Sequence, residues 1–96
     1  MYTVIFLGQE CIVEKHAYKS NDRVALELTI KATGEPMATA TTNLPNIQLE
    51  KNEVIIKNYS ENEGIYQILV KAGIISKSIR TEKTGWIEVL VCKLLI

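Results

Sequence analysis

Only one stretch of this chain spaces its apolar residues as a helix does. Ile65, Ile68, Leu69 and Ala72 fall at i, i+3, i+4 and i+7, a single stripe on one helical face. Elsewhere the apolar residues alternate with polar ones, or run in short β-branched blocks between turn residues, as strands do. A lone amphipathic helix must bury its stripe on the sheet those strands form. The sequence therefore predicts an α+β fold: a mostly antiparallel β-sheet of five to seven short strands with one amphipathic helix packed on it. Its 96 residues make one compact domain, 1–96, with no room for a second core.

The helix is marked at both ends. Ser60-Glu61-Asn62-Glu63 matches a capping box, in which the Ser60 hydroxyl accepts from the Glu63 amide while Glu63 reaches back. Gly73 stands where a left-handed C′ residue belongs, and Ile74 behind it can close a Schellman motif on Leu69. These signals predict a helix over Glu61–Ala72.

Tyr2–Leu7 is β-branched and aromatic and reads as a first strand, broken by Gly8-Gln9. Glu10–His16 reads as a second, more exposed one. The clearest strand has Val24, Leu26, Leu28 and Ile30 on one face and Ala25, Glu27 and Thr29 on the other. Thr33-Gly34-Glu35-Pro36 then turns the chain into a small-residue return strand, Met37–Leu44. Glu53–Lys57 is a short strand, Glu82–Gly85 a turn and Trp86–Ile96 a last strand. That last strand is apolar on both faces, so it is either central or an edge covered by another chain.

Eleven basic and eleven acidic side chains cancel, so no global field draws the chain to nucleic acid or to an anionic membrane. No apolar run approaches the about 20 residues that cross a bilayer. The N-terminal segment lacks the basic leader of a signal peptide. Cys11 and Cys92 lie in apolar-rich segments and are expected to be buried thiols rather than a disulfide, in a cytoplasmic protein.

Catalytic chemistry is hard to assemble from this composition. The one histidine, His16, falls on the opposite strand face from Cys11, which separates a nucleophile from its base. Glu14 does share a face with His16, the arrangement of a surface contact more than of a metal site. The five glycines are scattered at positions 8, 34, 64, 73 and 85, so there is no phosphate loop. No cofactor and no metal is expected, and no enzyme.

Two surfaces remain as candidates. The segment Tyr59, Glu61, Asn62 and Glu63 is an acidic and aromatic corner suited to a basic protein partner. The alternative is that Tyr59 packs on the sheet beside the helix start, and the sequence leaves both open. Lys77, Arg80 and Lys83, followed by Trp86, offer a nucleic-acid contact in which the indole stacks on a base of a single strand. The apolar C-terminal strand can also pair with its copy across a two-fold axis, giving a homodimer.

The segments Val24-Ala25-Leu26-Glu27-Leu28, Gly34-Glu35-Pro36, Thr42-Asn43-Leu44-Pro45 and Tyr59-Ser60-Glu61-Asn62-Glu63-Gly64, in that order, resemble a family of short bacterial proteins. It is known as domain of unknown function 4313 and is carried on conjugative elements and phages. Gly85-Trp86 matches the glycine and aromatic residue near the end of that family. The resemblance implies a protein of a phage or mobile genetic element. It further implies that its partner is a host or element protein complex, as for an anti-CRISPR inhibitor that occludes a host defence complex.

Overall fold

Val24–Ile30 forms a strand with the bounds its alternation predicts, and Leu26 and Leu28 on its inner face are fully buried. In this computed structural model, which describes residues 1–96, it is the third of seven strands. β1 (Tyr2–Phe6), β2 (Gln9–Ala17), β3 (Val24–Ile30) and β4 (Pro36–Thr39) run as an antiparallel meander in the order β1-β2-β3-β4. β5 (Glu53–Ile56), β6 (Arg80–Thr84) and β7 (Ile87–Lys93) form a second antiparallel sheet, order β5-β7-β6. A 3-10 turn at Ser60–Asn62 leads to the single α-helix, α1 (Ile65–Lys71). The fold is α+β, and the strands divide between two sheets rather than one.

The division happens at Ala40. The return strand ends at Thr39, short of the expected Leu44, because the chain changes sheets there. The Ala40 amide still donates to the Leu26 carbonyl of β3, at 2.8 Å, while its own carbonyl accepts from Lys57 just past β5, also at 2.8 Å. Thr41 then bridges to Ile56, and the Thr42 amide donates to the Ile55 carbonyl. The Thr41 hydroxyl, 3% of whose residue is exposed, accepts from the Leu26 amide and meets the Tyr18 phenol at 2.9 Å.

One cluster of buried side chains joins both sheets to the helix. Val4, Phe6, Cys11, Val13, Leu26 and Leu28 come from the first sheet, Val54, Ile56 and Cys92 from the second, and Ile65 and Leu69 from α1. Burying a side chain of this size is worth about 1.5–3 kcal/mol, so this cluster is the main source of cohesion. A smaller cluster, Ile55, Val89 and Val91, lies on the other face of β5 and β7. Leu44, Ile47, Leu49 and Tyr59 cover it. The irregular segment that supplies the first three is held by two arginines. Arg23 donates to the carbonyls of Leu44 and Ile47, at 2.9 and 2.7 Å, and Arg80 donates to that of Gln48 at 2.6 Å.

β7 is apolar on both faces because both faces are covered, and it is central, as one of the two readings of its sequence had it. That closes the route expected for a homodimer. β5 occupies one edge of β7 and β6 the other, and Leu94 beyond it bridges to Ile75, so no backbone edge is left to pair with a second copy.

β6 occupies most of the turn that the sequence predicts at Glu82–Gly85. Its five residues, Arg-Thr-Glu-Lys-Thr, carry no apolar alternation, but they pair with β7 from Arg80↔Val91 to Thr84↔Ile87. Only Gly85 and Trp86 remain in the turn. Gly85 takes φ 62°, as the first central residue of a II′ hairpin turn requires.

The helix differs at its start and agrees at its end. The capping box does not form: Ser60 has φ 54° and its hydroxyl caps nothing, and Gly64 at φ 92° separates the 3-10 turn from α1. The cap is supplied instead by Asn58, whose side-chain oxygen accepts from the Tyr66 amide at 2.9 Å. At the other end Gly73 has φ 76°, the Ile74 amide donates to Leu69 and the Gly73 amide to Val70. That pair of bonds is a Schellman closure.

Candidate interaction surface

The two surfaces singled out in the sequence fare differently. In the acidic corner, Asn62 is 1% exposed and donates to the Thr39 carbonyl at 2.7 Å, so it holds the fold together and cannot meet a partner. Tyr59 is half-buried against the Ile55–Val89–Val91 cluster, and Lys57 lies over its ring, 5.7 Å from the centroid. Packing on the sheet is therefore the observed role of Tyr59. Glu61 is exposed but paired with Lys57 at 2.6 Å, one turn away in sequence. That bond holds the Glu61 carboxyl below the ordinary range and the Lys57 ammonium above it. Of the four residues only Glu63 is exposed and free of an ion pair.

The basic segment does not assemble one face. Register puts Arg80 opposite Val91 and Glu82 opposite Val89, on the side of the small cluster. Thr81 faces Leu90 and Lys83 faces Glu88, on the other side. Each nitrogen of the Arg80 guanidinium is also engaged. Its Nε donates to Glu82 at 2.9 Å, one Nη to Glu53 at 3.3 Å and the other to the Gln48 carbonyl. Those bonds, the one to Glu82 foremost, raise its already high pKa and fix the guanidinium within the fold. Lys77 and Lys83 are exposed.

Glu53 sits under this clamp. Its carboxylate accepts from the Glu50 amide at 2.9 Å and from Arg80, and these bonds hold its pKa below the ordinary 4.5, the Glu50 amide first. The largest surface depression lies here, lined by residues 46–50 with Glu53, Arg80, Glu82 and Lys83. Of its charged residues, Arg80 is bonded to both Glu53 and Glu82, so it is a structural junction in the first place.

Trp86 is the exception to all this pairing. It stands at the tip of the β6–β7 hairpin and is wholly exposed, at 104% of its reference area, with Ile87 beside it 39% exposed. No fold contact explains the indole, because a two-residue turn asks for small polar or flexible residues. The ionic side chains nearest in sequence, Glu82, Lys83 and Glu88, sum to −1.

No family model, curated protein or solved structure matches this chain.

His16 lies between Glu14 and Glu27 on the solvent face of the first sheet, its Nε2 3.7 and 3.5 Å from their carboxylates. The two glutamates are direct cross-strand partners. No group of three or more His, Cys, Asp or Glu side chains is arranged to hold a metal ion. Cys11 and Cys92 are both free and buried, and burial pushes the Cys92 thiol up to about 11. No helix is long and apolar enough to cross a membrane.

Sequence reasoning missed the edge of β1. Ile5 and Leu7, read only as part of the first strand, are 67% and 68% exposed. Alternation alone shows the signal for Ile5, since Val4 and Phe6 take the inner face.

Proposed function

We propose that this chain is a non-catalytic protein-binding module that engages its partner through Trp86. The observation that carries the reading is the full exposure of that indole at the tip of the β6–β7 hairpin, where it touches nothing in the fold. A tryptophan combines a large apolar surface with few rotatable bonds, and such residues anchor interfaces. The motif resemblance supports placing the partner among host or mobile-element protein complexes, with occlusion of a host defence complex as the mode of action. A binder of that kind needs a rigid scaffold and a projecting anchor rather than a reactive site.

The alternative partner is a single-stranded nucleic acid, for which an exposed indole is a stacking platform. The charge balance favours protein. Arg80 is paired with Glu53 and Glu82, the carboxylate of Glu88 stands cross-strand from Lys83, and only the separated Lys77 and Lys83 are left to meet phosphates.

Affinity capture from the native host with the wild-type chain and with Trp86→Ala separates these readings. A protein complex recovered by the first and lost with the second supports the proposal. The same proteins recovered by both would sink it. Quenching of Trp86 emission by a single-stranded oligonucleotide at low salt, abolished by added salt, would move the assignment to nucleic acid.

A further inference from the structure

The edge of the first sheet offers a second surface, which goes beyond the Trp86 reading and does not rest on it. β1 pairs with β2 alone, so its other edge presents unpaired backbone amides and carbonyls. Proteins blunt such edges with charges, proline, bulges or a covering segment. The other edges here are blunted. β4 begins at Pro36 beside a register shift, Thr41 and Thr42 cover β5, and β6 carries Arg80, Glu82 and Lys83. β1, Tyr-Thr-Val-Ile-Phe, has none of these devices.

Helix α1 runs beside this edge and makes it one wall of an open groove. The groove is lined by Thr3, Val4, Ile5, Ile68, Lys71 and Ala72. Lys71 is its only charged side chain, exposed and without an ion-pair partner in the fold. An added strand would send every second side chain toward the helix, over Ile68 and Ala72, and one of them toward the Lys71 ammonium.

We propose that this groove takes an extended segment of a partner protein as a fifth strand. That segment has apolar residues at alternate positions and a glutamate or aspartate side chain in register with Lys71. A second copy of the chain fits less well. Antiparallel pairing of two β1 edges about a two-fold axis puts both helices on the same side of the joined sheet and turns Lys71 toward Lys71. Residues 1–7 supply no carboxylate to separate them.

The test is selection of random heptapeptides displayed on phage against the full chain, with the best sequence synthesised and labelled as the probe. The expected probe alternates apolar residues and carries an acid. Lys71→Glu weakens its binding at least tenfold, Ala72→Trp blocks it, Trp86→Ala leaves it unchanged, and the bound complex protects amides of residues 2–6 from exchange. Both groove substitutions lie on exposed positions, and an unchanged melting temperature confirms that each variant is folded. Recovery of no binder, a probe indifferent to Lys71→Glu, or protection elsewhere would overturn the proposal. So would self-association of the chain that Ala72→Trp abolishes.

Discussion

The Asn62 side-chain amide donates to the Thr39 carbonyl at 2.7 Å, tying the turn before α1 to the last residue of β4. Replacing Asn62, itself only 1% exposed, by Ala removes this bond, and the carbonyl of the exposed Thr39 is left to water. The expected loss is about 0.5–1.5 kcal/mol of stability, the net worth of one hydrogen bond. Urea denaturation measures it, and an unshifted midpoint would show that water replaces the amide at no net cost.

The start of α1 rests on Asn58 and not on Ser60. Asn58→Ala should therefore cost about 1 kcal/mol, the usual worth of a side-chain cap. Ser60→Ala, at the position the sequence pattern favours, should stay within about 0.5 kcal/mol. The same denaturation series checks both. A larger loss at Ser60 than at Asn58 would restore the capping box.

These two residues also show where the sequence was legible. The C-terminal signal of the helix, Gly73 followed by Ile74, depends only on local backbone geometry, and it forms as read. The N-terminal signal competes with a distant acceptor. Asn62 reaches Thr39, and this is incompatible with one continuous helix from Glu61. The meander was legible because alternation and turn residues act over short distances. The switch of sheets at Ala40 was not, since it is settled by hydrogen bonds to Leu26 and Lys57, 14 and 17 positions away. Nor was β6, since Arg-Thr-Glu-Lys-Thr carries no apolar alternation and is recruited by the edge of β7. The candidate sites followed the same divide. The sequence offered Trp86 as a stacking residue, but it could not show Trp86 exposed, Arg80 engaged or Asn62 buried.

Acid should loosen the junction around Glu53. Its carboxyl titrates below its ordinary value in the folded chain, because the Glu50 amide and Arg80 favour the charged form. The stabilisation is therefore complete above the ordinary value of 4.5 and is lost as pH falls through the lower folded one. Glu53→Gln should flatten the pH dependence of the melting temperature in that acidic window. A parallel curve for both proteins would assign the acid sensitivity to other carboxylates.

Cys92 should be slow to react. The thiolate is the nucleophile, and burial pushes this thiol from 9.0 up to about 11. Ionisation alone then lowers its thiolate fraction about 100-fold near neutrality, each unit of pKa being a factor of ten. Labelling by a disulfide reagent should be slow in the folded protein and fast in urea. Rapid labelling of Cys92 under native conditions would contradict its burial.

Ala40 spends its amide on one sheet and its carbonyl on the other. Neither sheet can detach without breaking a bond of the same residue, and both draw on one buried cluster. The chain has no seam, and unfolding should be all-or-none. Amide exchange at Leu28 in the first sheet and at Val91 in the second should then report the same opening free energy, that of the whole molecule.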